Sequence, residues 1–248
     1  MKMIFPIRIN KYLAEKGICS RREADKLIEE GKVSINGEKA RLGVMVNEND
    51  KVDVAGGLKE LVYIAYNKPA GIVTNCPQKG EKEIKDILKL DFEYFPVGRI
   101  DKHSRGLILL SNDGRITDKL LNPRNYHEKE YIVEVNRELQ ENDLRQLRQG
   151  ITLDGGFITK PCEIKMINNC TFSIILTEGK NRQIRRMCLA LGYDVVDLNR
   201  VRIMNIELGS MSEGHYKILK GEILEELLEE LKLDSDRKQD PLNIPEDE

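Results

Sequence analysis

Between positions 8 and 37 the chain sets down two helix stops and a hairpin turn, which leaves this stretch few ways to fold. Ile9, Tyr12 and Leu13 form a helical apolar stripe, and Gly17 follows where a left-handed cap is needed. Ser20 and Glu23 have the S-x-x-E spacing of a capping box, so a second helix is expected to open there and to end at Gly31. Val33 and Ile35 lead into Asn36-Gly37, a dipeptide that accepts the positive φ of a tight hairpin. Val52 and Val54 supply a further strand. The expectation is two short helices and a small sheet, with Gly56-Gly57 as a linker.

Arg8, Lys11, Arg21 and Arg22 crowd the starts of these helices. With Ser20 as N-cap, Arg21 and Arg22 fall in the first turn, where the helix dipole opposes positive charge. A phosphate docked there would receive backbone N–H groups and both guanidinium groups together. A solvated charged surface explains a lone arginine pair equally well. The net charge of −2 does not exclude a polyanionic partner. Residues 222–248 carry 11 Asp/Glu against 3 Lys/Arg, so the rest of the chain is mildly basic.

Beyond the linker, strands are expected at 62–66, 107–110, 130–135, 172–176 and 201–208, and helices at 81–89, 115–121, 139–149 and 182–191. There is no regular βαβ rhythm, which favours an α+β fold. Residues 222–233 have Leu224, Leu227, Leu228 and Leu231 on one helical face. The domain expectation is therefore 1–57, 61–233 and an acidic, disordered tail at 234–248. No apolar run approaches the ~20 residues of a membrane span. The opening M-K-M-I-F-P-I-R-I-N lacks a signal-peptide pattern. Five cysteines without a CxxC, and three scattered histidines, point to reduced thiols and no metal site. A cytoplasmic protein is expected.

One carboxylate stands out. In F-P-V-G-R-I-D-K-H-S-R-G-L-I-L-L, Asp101 lies among Arg99, Lys102 and Arg105, just before four apolar residues. Cations close to a carboxylate favour its charged form, and a charged carboxylate on a loop suits nucleophilic or general-base work. On these residues alone a structural salt bridge is the commoner explanation. Further on, E-G-K-N-R-Q-I-R-R-M-C packs Arg182, Arg185 and Arg186 into five positions at a helix start. Arg182 and Arg185 are i, i+3 neighbours and share a side.

The run R-I-N-K-Y-L-A-E-K-G-I-C-S-R-R-E-A-D-K-L-I-E-E-G-K-V-S-I-N-G closely resembles the S-four-like RNA-binding module of a small-subunit ribosomal protein. That resemblance implies RNA contacts at Arg8, Asn10, Lys11, Ser20, Arg21 and Arg22. G-R-I-D-K-H-S-R-G-L resembles the catalytic motif of pseudouridine synthases, usually G-R-L-D-x-x-[ST]-x-G-L, with Ile100 in place of leucine. It implies that Asp101 is the essential aspartate and Ser104 the motif's hydroxyl. H-E-K-E-Y-I-V-E-V resembles the second motif, and assigns to Tyr131 the ring that stacks on the target base. In the arginine-rich segment, the residue after Q-[IVL] contacts the aspartate in that family, which points to Arg185; Arg99, Arg182 and Arg186 would meet substrate or RNA phosphates. R-V-R-I-M-N-I-E-L resembles the closing strand, where Leu208 would line the uracil pocket.

With K-P-A-G-I-V at 68–73, the order of motifs is similar to the RsuA-type enzymes that modify ribosomal RNA, and several elements look most like a member acting on large-subunit (23S) RNA. The resemblance implies an N-terminal α/β module and a mixed, mainly antiparallel catalytic domain. It also implies a monomer that uses no cofactor and works on ribosomal RNA or a pre-ribosomal particle. The alternatives are a non-catalytic ribosome-assembly factor, or the same chemistry on 16S or transfer RNA.

Overall fold

The computed structural model describes residues 3–55 and 61–233. The expected Gly56-Gly57 linker and acidic tail lie outside the described residues. The first unit runs β1 (Ile7–Arg8), α1 (Ile9–Glu15), α2 (Arg21–Glu29), β2 (Val33–Ile35), β3 (Glu38–Lys39), β4 (Met45–Val46) and β5 (Val52–Val54). Gly17 and Gly31 both have positive φ one residue past the C-caps Lys16 and Glu30. Asn36 and Gly37 take φ of 53° and 86°, turning β2 back as β3 in a sheet ordered β3-β2-β5. Only half of the anticipated capping box forms: Ser20 Oγ accepts from the Glu23 amide at 3.2 Å. The β1–β4 pair was not foreseen, because two residues are too few to show a period. Ile9, Leu13, Ala24, Ile28, Val33 and Val46 close the core.

The second unit continues with β6 (Tyr63–Lys68), α3 (Ile84–Ile87), β7 (Phe95–Val97), β8 (Arg105–Ser111), α4 (Arg115–Leu121), β9 (Lys129–Val135) and α5 (Glu141–Gln149). It ends with β10 (Glu163–Asn168), β11 (Thr171–Leu176), α6 (Gln183–Ala190), β12 (Val195–Ile203), β13 (Ile206–Glu207), β14 (Tyr216–Ile218) and α7 (Glu222–Glu230). One sheet runs β10-β11-β9-β12-β8-β6-β14, with β13 paired to β12 and β7 to β8. Every pairing in it is antiparallel except β12 with β8. The fold is thus a small N-terminal α/β module followed by a mixed, mainly antiparallel domain.

Strands β6 and β8 are covered on both faces, which is why they read as continuous apolar runs. Tyr63, Ala65, Leu107 and Leu109 pack with α4 and α7, while Ile64, Tyr66, Ile108 and Leu110 face α3. Strands β9, β11 and the helices α5 and α6 enclose a separate core around Phe172 and Met187. The two halves meet at the β12–β8 pairing, where Arg200 opposes Gly106. Gly106 has φ of 107°, and a Cβ there would stand 2.4 Å from the Arg200 carbonyl oxygen. Only glycine permits that approach.

Two expected elements differ. The helix at 81–89 shrinks to Ile84–Ile87, boxed by Glu83 and Asp86 and stopped by extended Leu88, whose carbonyl accepts from the Tyr94 hydroxyl at 2.6 Å. The strand at 201–208 begins instead at Val195 and breaks at Met204, which has φ of 50°. The helix at 222–233 forms as α7 and buries Leu227, Leu228 and the following Leu231.

Candidate active site

A cavity of about 590 Å³ opens where the two halves of the sheet meet. It is lined by the 98–102 loop with Asp101, by β9 and β12 with Tyr131 and Arg200, and by the 177–182 loop. The structure therefore brings Arg99, Asp101, Tyr131 and Arg182 to one place, although they come from three separate motifs.

The Asp101 loop is held from below by backbone bonds. Thr74 Oγ1 donates to the Ile100 carbonyl at 2.8 Å and accepts from its amide at 3.2 Å. The Gly71 amide donates to the Lys102 carbonyl at 2.7 Å, and the Ser104 amide closes a turn on the Asp101 carbonyl at 3.0 Å. Each of these bonds contributes about 1 kcal/mol and together they fix the backbone from which the carboxylate projects.

The arginine that faces Asp101 is Arg182, with Nη1 3.8 Å from Oδ2. Arg185, expected in that role, feels the charge of Asp101 but makes its own hydrogen bonds elsewhere. It donates through Nη1 to the Val195 carbonyl at 2.9 Å and through Nη2 to the His103 carbonyl and Ser104 hydroxyl at 3.0 and 3.3 Å. The reason is local: Arg182 is the N-cap of α6, with φ of 49° and ψ of 35°, so its side chain leaves the helix line that Arg185 follows. Gln183 supports the turn, accepting from the Lys180 amide at 2.9 Å and donating to buried Glu178 at 2.8 Å. Arg186 is engaged elsewhere, with the Asp154 carbonyl at 2.8 Å. Leu208 is 8% exposed within the core beneath α7 and is not part of the cavity wall, because the turn at Met204 folds β13 back onto β12.

Sequence reasoning missed four contributors. Thr74 and Gln183 act through backbone, which no residue pattern announces. Lys129 and Arg200 both line the cavity beside Tyr131. Their spacing on the strands carried the signal, since Lys129 and Tyr131 are two apart on β9 and share a face.

On the N-terminal module, Arg8, Lys11, Arg21 and Arg22 are exposed. Asn10 instead donates to Asp25 at 2.9 Å, tying α1 to α2, and Ser20 is occupied as the α2 cap. The module is joined to the larger domain at α4. Buried Asp113 accepts from the Tyr63 hydroxyl at 2.6 Å and from Arg115 Nε at 2.9 Å, and Arg115 Nη1 reaches across to the Gly17 carbonyl at 2.8 Å. Burial pushes the Asp113 carboxyl up, but the bonds from Arg115 and Tyr63 outweigh this and hold it below its usual range. A Cβ on Gly114 would stand 2.3 Å from that of Ser20, so the surfaces touch closely.

Comparison with known proteins agrees with this arrangement. Residues 62–190 match the RNA pseudouridylate synthase family and residues 7–52 match the S4 domain. The dual-specificity RNA pseudouridine synthase RluF of Escherichia coli K12 is 43% identical over 227 residues, 89% of this chain and 78% of that protein. The ribosomal large subunit pseudouridine synthase B of Bacillus subtilis is 36% identical over 84% of this chain and 89% of that one. A crystal structure of a pseudouridylate synthase superposes with a TM-score of 0.67 at 29% identity, covering 91% of this chain and 99% of the other. The chain belongs to the RNA pseudouridylate synthase family, as a pseudouridine synthase that carries an S4 domain ahead of its catalytic domain.

Proposed function

We propose that this enzyme converts a specific uridine of ribosomal RNA, in the 23S molecule, with Asp101 as the catalytic carboxylate and the target base flipped into the cavity. The reading rests on one observation: Asp101 and Tyr131 line the same cavity. Uridine within a stacked helix hides the bond to be broken, so the nucleotide must swing out at a cost of a few kcal/mol. Stacking on Tyr131 returns about 1–3 kcal/mol of this. Asp101 then acts on the ribose, either bonding to C1′ or taking the C2′ proton, while the base leaves and rejoins through C5. Arg182 orients the carboxylate, and Arg99 on the exposed rim meets phosphate. Residues 1–57 grip a structured part of the RNA through Arg8, Lys11, Arg21 and Arg22, and residues 61–233 carry the chemistry.

Mass-spectrometric mapping of pseudouridine in RNA from cells with and without the gene tests the target. Because the Escherichia coli relative is named for dual specificity, transfer RNA is mapped alongside 23S and 16S RNA. Asp101→Asn keeps the shape and removes the charge. Residual conversion by that variant, or unchanged maps without the gene, would sink the reading, and the latter would favour a non-catalytic assembly factor.

A further inference from the structure

The part of the cavity lined by β9 and β12 carries more positive charge than strand packing requires. Lys129 and Tyr131 share a face of β9, and Arg200 of β12 lies in register with Tyr131. All three line the cavity. Arg200 is only 5% exposed, and its guanidinium carbon lies 6.0 Å from the Tyr131 ring centroid. Its Nε donates to the Leu107 carbonyl at 2.6 Å. Its Nη2 is buried and has no hydrogen-bond partner among the described residues. Lys129 Nζ donates to the His127 carbonyl at 2.9 Å. Neither cation forms an ion pair with a carboxylate among the described residues.

A brace for β8 explains the Leu107 bond and nothing else. Burying a guanidinium without a counter-ion costs several kcal/mol, and an orphaned donor adds to that cost. Packing alone would not set a second cation beside the first. A wall that carries this cost at rest is suited to negative charge that arrives with the substrate.

We propose that Arg200 and Lys129 form a seat for the uracil carbonyl oxygens and stabilise the negative charge that gathers on the base when its bond to the sugar breaks. This deepens the reading of Asp101 given above and rests on it. The N1–C1′ bond breaks with its electron pair kept by uracil, and the resulting anion spreads over N1, O2 and O4. Asp101 balances the sugar, either by bonding to C1′ or by accepting the C2′ proton. On return, C5 bonds to C1′ as the carboxylate departs or the proton goes back. C5 then loses its hydrogen as a proton and N1 gains one, so no co-reactant is consumed.

The seat also accounts for how a detached base turns without escaping. A half-turn about the N3–C6 axis exchanges N1 with C5 and, at the same time, O2 with O4. Donors fixed on the wall therefore meet an equivalent pair of oxygens before and after the turn. Donors placed in advance where charge develops act most strongly in a dry site.

Single-turnover kinetics and equilibrium RNA binding on the same full-length proteins test this. Arg200→Gln is expected to lower the rate of conversion about 10²–10³-fold with RNA affinity unchanged, and Arg200→Lys to recover part of the loss. Lys129→Met, half-buried and outside the β8 contact, is expected to act in the same direction, and it decides the matter if Arg200→Gln does not fold. With wild type active and Asp101→Asn silent, a normal rate in Lys129→Met or in folded Arg200→Gln overturns the seat alone. So does a loss confined to RNA affinity. An inactive wild type, or an active Asp101→Asn, overturns the earlier reading and the seat with it.

Discussion

Arg182 Nη1 stands 3.8 Å from Asp101 Oδ2, reaching from the start of one helix to a loop some eighty positions earlier. The pair is partly exposed, with 47% and 28% of the side chains accessible, so its effect on folding is small and its effect on orientation is what matters. Arg182→Gln is expected to lower turnover about 10²-fold while the melting temperature hardly moves. A large stability loss with normal turnover in the folded fraction would contradict the assignment.

Arg185 gives the opposite pattern. Three bonds run from its guanidinium to Val195, His103 and Ser104, and its Nε is already buried without a partner. Burial pushes this guanidinium down from its ordinary range, and nearby Arg182 adds to the effect. Arg185→Met would strand two carbonyls and a hydroxyl and should cost about 2–3 kcal/mol in chemical denaturation. Turnover should fall with it, because two of the bonded residues, His103 and Ser104, lie just after Asp101 in the chain.

Lys129 makes the rate depend on pH. Burial and then the charge of Arg200 push its ammonium down to about 8. The groups facing it are Arg200 from β12 and His127 from the preceding loop, and neither offers a negative charge. As the pH rises through about 8 the ammonium loses its proton, so conversion should slow on the alkaline side. Lys129→Arg stays charged there and should keep its rate. A wild-type profile that stays flat to high pH would contradict the role.

Asp113 makes stability depend on pH in the other direction. Its folded pKa is lowered, so the stabilisation is present above the ordinary carboxylate range and disappears as acid protonates it. Asp113→Asn leaves Arg115 buried without its partner and should cost about 3–5 kcal/mol at neutral pH. Equal denaturation midpoints for the two proteins would refute this.

How much could be read in advance depended on the type of interaction. The helices α1 and α2 and the Asn36-Gly37 turn were legible because caps and turns are written in adjacent residues. The Asp101 loop and Tyr131 were legible through motif resemblance. The placing of Arg182 beside Asp101 was not, since it follows from one left-handed residue whose φ no pattern displays. Arg200 was hidden for a different reason: its position under the cavity depends on a parallel strand pairing across 94 positions, permitted by Gly106. The short strands β7, β10 and β14 were missed because β7 and β14 have only three residues and β10 is nearly all exposed.

The bond from Arg115 to Gly17 has a consequence for substrate choice. Its anchor is a buried ion pair, so the two arginines that open α2 and the carboxylate at position 101 stand at a set separation. The molecule works as a caliper. On the roles proposed for these residues, an RNA would have to present its docking feature and its uridine at the matching span, and a base correct in every local respect but a turn too near would go unmodified.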